Sequence, residues 1–272
     1  VEEKLNAIIK NGVSASMLSL YIIDQIKFFE TYVLGLREEK MEETIASSTI
    51  GNIVHDSLEL IYKDYVGKKL KIRDLEKMKG QINPTVQNII KNYVREENIY
   101  KGKNIIIVET VKKYVKKVIG LDKKMLKDGN ELKIIAVEKE FENKIKDEAN
   151  LYKIRGKIDR IDELNGELRV IDYKSGKKLN KRDLKIKNNE ELTKEKGIYN
   201  LQLLIYMLGI HEEFNKKPIK SGIINLKNIG EGVLEGVFNG NTVLNKNEME
   251  NYKNEIIKII ANILDKNKLF KN

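Results

Sequence analysis

The chain has 272 residues, of which 41% are hydrophobic and 34% are charged, so it is long enough to bury a sizeable core. Its 51 Lys and Arg residues exceed its 41 Asp and Glu residues, which gives a formal net charge of +10. This charge favours a phosphate-bearing partner such as nucleic acid. An AT-rich genome, which encodes Lys-, Ile- and Asn-rich chains, is an alternative explanation for it. The absence of cysteine excludes a disulfide, an iron–sulfur cluster, a thiolate zinc site and cysteine-based catalysis.

Nothing in the sequence indicates a membrane segment or a leader. The longest apolar stretches are short or broken by Lys and Asn, far below the roughly 20 residues that a membrane span requires. The chain starts at Val1 without a basic segment, an apolar run and a small-residue cleavage site. We therefore expect a soluble, intracellular protein of the cytoplasm with no membrane partner.

The first part of the chain carries helical signals. Apolar residues recur at helical spacing over Ser14–Leu36 and again from about Ser48 to Tyr65. A charged, Glu-rich link, Arg37–Glu43, separates these two predicted helices. His55 lies beside the apolar stripe of the second helix.

Further Lys-rich helices are predicted over residues 68–128. Asn83-Pro84 is expected to break this run, because proline lacks a backbone N–H and disfavours a helical residue before it. Gly120 or Gly129 is a candidate helix end.

From Glu131 onward, alternating branched residues predict strands, which places helices around a central mixed β-sheet in an α/β fold. We expect a single domain over 1–272, with a mostly helical part over 1–130 and a sheet-and-helix core over 131–272. The strands are predicted over Leu132–Phe141, Tyr152–Asp162, Leu168–Lys174, about Ser221–Lys227 and Gly232–Phe238, the later helices over Tyr199–His211 and Lys246–Lys266, and a polar loop over 177–196.

The segment Ile154–Lys174 is the most informative part of the chain. Asn165-Gly166 between two alternating runs is a strong signal for a two-residue hairpin turn. Pairing outward from this turn places Asp159 opposite Asp172 on one side of the sheet, with their Cβ atoms about 5 Å apart. Lys174, two positions beyond Asp172, points to the same face.

Two like charges placed opposite each other destabilise a hairpin, so the two carboxylates require a compensating group. A divalent cation would supply it, and Mg²⁺ prefers oxygen ligands of this kind. Alternatively, Arg155, Arg160 and Lys174 neutralise the acids in a purely structural hairpin. Asp162 should face the other way, paired with Arg169, and is expected to be structural.

Three further side chains are candidates for the same site. His55 is either an ordinary helix histidine or a metal ligand near the two carboxylates. Gln202 and Tyr206 are four residues apart on one helix face, and both can donate hydrogen bonds to a phosphate or a base, although Tyr206 alone would be read as a core residue. His211 is expected to be a helix cap or a surface residue.

The order of these motifs resembles the PD-(D/E)XK nuclease superfamily. The resemblance is to the branch that contains the nuclease domains of RecB and AddB and the CRISPR-associated RecB-like exonucleases, and it spans about Ser14 to Tyr206. The motifs are Gly51-Asn-Ile-Val-His55, Gly156-Lys-Ile-Asp159-Arg-Ile-Asp, Ile171-Asp172-Tyr-Lys174-Ser-Gly176 and Gln202-Leu-Leu-Ile-Tyr206.

The resemblance implies a restriction-endonuclease-like core with a metal site. His55, Asp159 and Asp172 would bind the metal, with the backbone carbonyl of Tyr173 as a further ligand. The metal implied is Mg²⁺, for which Mn²⁺ is a substitute.

The resemblance also implies roles for residues around the metal. Lys174 would be the catalytic lysine beside the two aspartates, and Gln202 and Tyr206 would match the helix motif that positions the DNA strand. Glu138 or Glu140, on the preceding strand, would assist through a water molecule.

One departure from the family concerns its iron–sulfur cluster. Many relatives carry four cysteines for a cluster, the first in a Cys-Pro after the opening tyrosine, where this chain has Asp24-Gln25. No cluster is expected here, so hydrophobic packing has to tie the N-terminal helix to the end of the domain.

The function implied by the resemblance is a Mg²⁺-dependent deoxyribonuclease, an exonuclease of DNA repair and recombination. Its partners would be single- or double-stranded DNA ends and a helicase subunit or domain of the same complex. The alternative is a catalytically inactive DNA-binding or scaffold module of such a complex. The sequence offers neither a Ser-His-Asp arrangement nor a Walker-type motif.

Overall fold

A six-stranded mixed β-sheet forms the centre of the computed structural model, which describes residues 1–36, 47–146, 150–215 and 217–265. The strands are β1 (Leu132–Lys146), β2 (Leu151–Leu164), β3 (Glu167–Lys174), β4 (Lys185–Ile186), β5 (Ile219–Asn225), β6 (Val233–Glu235), β7 (Val237–Phe238) and β8 (Val243–Leu244). The main sheet has the order β1-β2-β3-β5-β6, and β8 also pairs with β5. Only the β3–β5 pairing is parallel in this sheet, while β4 and β7 form a separate two-stranded sheet.

Helices cover both faces of the main sheet. They are α1 (Glu2–Asn11), α2 (Ala15–Ile23), α3 (Gln25–Phe28), α4 (Ser47–Tyr62), α5 (Ile72–Ile90), α6 (Lys103–Lys127), α7 (Ile198–Ile210) and α8 (Lys246–Leu264). None of the helices within the described ranges has an apolar run long enough to cross a membrane. The predicted α/β fold, a central mixed sheet with an N-terminal helical region, is confirmed.

Alternate residues of β3 point into two separate cores. Val170 packs into a core shared with α1, α2, α7 and α8, whereas Ile171 and Tyr173 pack into a core shared with α4, α5 and α6. This alternation is the period-two pattern of a strand buried on both faces. Side chains from both helical layers can therefore meet at the end of β3.

The helix predicted over Ser14–Leu36 is divided into three segments. Asp24 ends α2, and its side chain accepts a hydrogen bond from the Lys27 backbone N–H at 2.7 Å, which begins α3. A π-helical turn, Phe29–Leu34, follows, and Gly35 ends it in the left-handed conformation. The prediction of one continuous helix is wrong because Asp24 provides both a stop and a new cap.

The break predicted at Asn83-Pro84 is also wrong, since the proline lies inside α5. Ile82 and Val86 on either side of it are buried. Their packing outweighs the roughly 3 kcal/mol that proline costs in a helix interior. Gly120 likewise lies inside α6, which runs on to near Gly129.

Two other predicted segments differ from the structure, and two lie partly or wholly outside the described residues. The strand predicted over Gly232–Phe238 is divided at Gly236 into β6 and β7, which belong to different sheets. Residues 177–196 contain β4 and two 3-10 turns rather than only a loop. The link Arg37–Glu43 and the end of the last helix at Lys266 lie outside the described residues.

The hairpin register is confirmed. β2 and β3 pair from Leu164–Glu167 to Arg160–Ile171 in the register counted from the turn. Asn165 and Gly166 have φ angles of 53° and 84°, the two left-handed residues that a type I′ hairpin turn requires. The sequence of the turn thus fixes which residues of the two strands lie opposite each other.

Hydrophobic packing joins the N-terminal helices to the last helix. Residues of α1 and α2 share one core with α8, among them Leu18 and Ile260. The Tyr21 hydroxyl also donates a hydrogen bond to the Asn262 carbonyl at 3.2 Å. This contact links the two ends of the chain in the way expected of a domain without cluster cysteines.

A buried ionic network lies on the α4 face of the sheet. Arg160 of β2, which is 1% exposed, contacts the carboxylates of Asp122 at 2.8 Å and Asp162 at 2.7 Å. The Tyr62 hydroxyl donates to Asp122 at 2.6 Å, and Arg169 donates to Asp162 at 2.7 Å. The predicted Asp162–Arg169 pair is confirmed, and the network attaches both α4 and α6 to β2.

Two substitutions test this network. Arg160→Met leaves two aspartates buried without their central partner and should lower the free energy of unfolding by about 3–5 kcal/mol. Tyr62→Phe removes one hydrogen bond and should cost about 1–2 kcal/mol. Urea unfolding of both variants measures this, and an equal cost for the two would contradict the central role of Arg160.

Candidate active site

His55 reaches the end of β3 from α4. Gly51 precedes it by one helical turn on the same face. A Cβ atom at Gly51 would lie 2.9 Å from Ser175 Oγ, so a larger residue would require the Ser175 side chain to move, whereas glycine lets α4 lie directly against the segment after β3. The His55 Nε2 atom lies 3.1 Å from the Tyr173 carbonyl oxygen. The spacing of Gly51 and His55 therefore positions the imidazole over the β3 backbone.

Asp159 connects β2, β3 and α4. Its Oδ2 atom accepts a hydrogen bond from the Tyr173 backbone N–H at 2.6 Å, and its Oδ1 atom lies 3.2 Å from His55 Nδ1. The described ladder ends one pair earlier, at Arg160–Ile171, and the Asp159 side chain takes over the next contact with β3. Asp159 and Asp172 therefore lie at the positions that the turn predicts, but they bind different partners. Asp159 accepts the hydrogen bond from the Tyr173 backbone N–H, whereas Asp172 does not.

Glu138 of β1 joins this group. Its Oε1 atom lies 3.6 Å from His55 Nδ1, and its Oε2 atom lies 2.7 Å from Lys157 Nζ. Glu138 has a φ of 46°, a left-handed conformation that is uncommon for a residue other than glycine. Glu140 is exposed on the same strand. Regular alternation would give both glutamates the same face, so the pattern alone did not distinguish them.

Asp172 lies at the centre of a second group of contacts. Lys174 Nζ is 3.0 Å from its Oδ2 atom, which confirms that these two side chains share a face. Gln202 Nε2 donates to Asp172 Oδ1 at 2.9 Å and to the Tyr206 hydroxyl at 2.6 Å. The Tyr206 hydroxyl is 3.4 Å from the same Oδ1 atom. Gln202 and Tyr206 thus hold the carboxylate in place.

The position of α7 depends on Phe141 of β1. A Cβ atom would lie 2.9 Å from the Phe141 ring at Gly156 of β2 and 2.3 Å from it at Gly209 of α7. The ring also meets Tyr206 edge to face, with centroids 6.1 Å apart. Glycine on both sides lets α7 pack close to the sheet, which brings Gln202 within reach of β3.

Burial and the neighbouring charges shift the pKa values of the site residues. Burial raises the pKa of Asp172 to about 6, an effect that Lys174 opposes and Asp159 reinforces. Burial lowers the pKa of Lys174, but Asp172 outweighs it and the pKa is raised. Burial also lowers the pKa of His55, while Asp159 and Glu138 raise it to well above its usual range. Protonated His55 and Lys174 therefore compensate part of the negative charge.

The two arginines of the purely structural alternative bind other partners than Asp159 and Asp172. Arg160 points to the opposite face of the sheet, where it binds Asp122 and Asp162. Arg155 donates through Nε to the Gly12 carbonyl at 3.2 Å. Of the three cations considered for neutralising the acids, Lys174 is the one with a described ion pair to them.

The donor set fits a hard divalent cation. One ligand atom from each of His55, Glu138 and Asp159 lies within 4.8 Å of the others. The Tyr173 carbonyl lies 3.1 Å from Nε2 of His55, the ring nitrogen opposite the one that faces the two acids, and Asp172 lies within electrostatic range of Asp159 and His55. Oxygen donors with one imidazole suit Mg²⁺ or Mn²⁺.

The site is open to solvent. The His55 side chain is 25% exposed and that of Lys174 is 30% exposed, so water and a substrate can reach both. His211, by contrast, caps the C-terminus of α7 but is buried, which corrects the expectation of a surface residue.

A match to a protein-family model shows which family the chain belongs to. A model described as the PD-(D/E)XK nuclease superfamily matches residues 12–270. The chain belongs to the PD-(D/E)XK nuclease superfamily. The resemblance carried by the four sequence motifs is therefore confirmed over nearly the whole chain.

Curated relatives have low identity and are much longer. The chain is 25% identical over 233 residues to a subunit of the ATP-dependent helicase/deoxyribonuclease of Alkaliphilus metalliredigens, a match that covers 79% of this chain and 19% of that protein. It is 29% identical over 164 residues to the corresponding helicase/deoxyribonuclease subunit of Streptococcus agalactiae, covering 60% of this chain and 14% of that protein. The chain thus spans less than a fifth of the length of these relatives.

A solved structure titled as the crystal structure of SSO0001 also matches. The match covers 90% of this chain and 95% of that chain, with 16% sequence identity and a TM-score of 0.28.

The role of Glu138 can be tested against Glu140. Glu138→Gln removes one carboxylate charge from the donor group and should weaken Mn²⁺ binding by at least about tenfold. Glu140→Gln removes the same charge from the exposed face of β1 and should leave the affinity unchanged. Calorimetric titration of Mn²⁺ into both variants, each first shown to be folded by circular dichroism, measures this. Equal affinities would exclude Glu138 from the metal site.

Proposed function

We propose that this chain is a metal-dependent deoxyribonuclease domain that hydrolyses DNA phosphodiester bonds. The observation that carries the proposal is the meeting of three side chains able to hold a metal ion, His55, Glu138 and Asp159, with the Asp172–Lys174 pair at the end of β3. Membership of a nuclease superfamily and relatives named helicase/deoxyribonuclease support the same reaction.

The proposed metal ligands are His55, Asp159, Asp172 and the Tyr173 carbonyl, with Glu138 beside them. Mg²⁺ is the metal proposed, with Mn²⁺ as a substitute. When bound, such an ion supplies positive charge to the scissile phosphate and lowers the pKa of an attacking water.

Lys174 has a separate role in this mechanism. Its ammonium lies 3.0 Å from Asp172, and that carboxylate keeps the lysine protonated. A protonated amine at this position can orient the attacking water and stabilise negative charge on the phosphate oxygens. In the hydrolysis, the water oxygen loses a proton to solvent and bonds to phosphorus, the ester P–O bond breaks, and the leaving oxygen takes up a proton from solvent.

Gln202 and Tyr206 act first as positioning residues. Both contact Asp172 Oδ1, so they fix the orientation of a proposed metal ligand. Tyr206 is buried whereas Gln202 is half-buried. Of the two, Gln202 is therefore the residue that we expect to reach a DNA phosphate.

The wider setting follows from the names of the relatives. We propose that the domain acts as an exonuclease in cytoplasmic DNA repair and recombination, as part of an AddB- or RecB-like helicase–nuclease. DNA ends are the substrate, and a helicase subunit or domain is the partner. This sequence has no Walker-type motif, so a helicase motor would have to lie outside these 272 residues.

Cleavage of end-labelled linear DNA and closed circular DNA tests the proposal. With Mg²⁺ or Mn²⁺, the chain should degrade the linear form alone, and EDTA should stop the reaction. Lys174→Ala should slow the reaction by at least about 100-fold because charge stabilisation at the phosphate is lost. Lys116→Ala removes an equivalent charge from the exposed face of α6 and should have no effect.

Two results would contradict the proposal. Full activity of Lys174→Ala would exclude this lysine from the reaction. Binding of DNA by the folded wild-type chain without any cleavage would instead favour the inactive DNA-binding or scaffold module.

A further inference from the structure

A strongly basic segment follows β3 almost directly. Residues 177–187, here named the basic ridge, begin three positions after Lys174 and contain six basic residues and one acidic residue, Asp183. All six basic side chains are exposed. Within the described part of the chain, the first four have no ion pair with an acidic residue; they are Lys177, Lys178, Lys181 and Arg182.

The start of the basic ridge is held by two asparagines. Asn225, at the end of β5, donates through Nδ2 to the Lys177 carbonyl at 2.8 Å and to the Lys174 carbonyl at 3.3 Å. Asn228 donates through Nδ2 to the Leu179 carbonyl at 2.8 Å. The backbone that leads out of the active site is therefore bound directly to the β5 end of the sheet.

The rest of the basic ridge is anchored by apolar side chains. Leu184 and Ile186 are fully buried in the core that also contains α7 and α8. Asn200 of α7 donates to the Leu184 carbonyl at 3.1 Å, and residues 185–186 form β4, which pairs with β7. An ordinary solvated loop has neither buried anchors nor such backbone contacts. The exposed cations are thus held on a fixed support.

Tyr199 of α7 responds to charges of both the basic ridge and the active site. It precedes Gln202 by three residues on one face of α7. Burial raises the pKa of Tyr199, Lys174 opposes this, and the carboxylates of Asp183 and Asp172 add to it. The Tyr199 hydroxyl is therefore within electrostatic range of both the ridge and the catalytic pair.

We propose that the basic ridge is the track that binds the backbone of the DNA strand next to the active site, an inference that rests on the proposed function. Fixed cations with no acidic partner can bind successive phosphates without first breaking internal ion pairs. Such contacts release counterions and do not read the base sequence. The ridge thus fits a sugar–phosphate backbone of any sequence.

The test compares two sets of four charge-removing substitutions in the full chain. The ridge variant combines K177Q, K178Q, K181Q and R182Q. The control variant removes four exposed lysines from α6, by K113Q, K116Q, K124Q and K127Q. Both variants have the same net charge, and a Mn²⁺ titration of each shows whether the metal site is intact.

Binding of fluorescent single-stranded and double-stranded oligonucleotides is measured in EDTA over a range of salt concentrations. In the ridge variant, the slope of log affinity against log salt should fall in magnitude by about 3, and affinity should fall at least tenfold, because each of the four lost phosphate contacts removes about 0.7–0.9 from the slope. In the control variant, the slope should match that of the wild type.

Equal changes in both variants would overturn the proposal, since binding would then depend on overall charge. An unchanged slope in the ridge variant would overturn it as well. If the wild-type chain binds DNA through the ridge but cleaves none, the proposed hydrolysis fails while the ridge stands. If it cleaves DNA and the ridge variant binds normally, the ridge alone fails.

Discussion

The hydrogen bond between the Asp159 carboxylate and the Tyr173 backbone N–H is the contact on which the site depends. It forms where the β2–β3 ladder ends, and it directs the second Asp159 oxygen toward His55. The Tyr173 carbonyl faces the same imidazole. A single residue of β3 thus fixes a carboxylate of β2 through its N–H and a histidine of α4 through its C=O, which brings the two side chains to one point.

One face of the β2–β3 hairpin carries a buried ionic network that stabilises the fold, and the other carries the acids of the candidate active site. On one face, Arg160 and Arg169 together match the charges of Asp122 and Asp162, and all four side chains are buried. On the other, Asp172 and Glu138 are each compensated by a lysine that is partly exposed. Buried charges with full compensation hold α4 in place, whereas the partly compensated acids can exchange a lysine contact for a bound cation.

The hairpin register was predictable because a two-residue Asn-Gly turn leaves no freedom in pairing, whereas the placement of His55 near the two aspartates was implied by the family resemblance of its motif. Three features were not predicted from the local pattern. The choice between Glu138 and Glu140 depends on a left-handed residue inside a strand, and Pro84 is held in a helix by long-range packing, so both depend on contacts made only in the folded chain. The helix boundary at Asp24 is a local N-cap, which the continuous apolar periodicity of the segment obscured.

The central claim is that the acids around His55 form a metal site beside Lys174. Anomalous diffraction from crystals soaked in Mn²⁺ tests it most directly, because the signal locates the ion independently of any activity. The predicted result is one strong peak in contact with His55 and Asp159, within about 2.0–2.3 Å of their ligand atoms, with Glu138 or Asp172 turned toward it. A peak only elsewhere on the chain, or none while Lys157 and Lys174 keep their ion pairs, would contradict it.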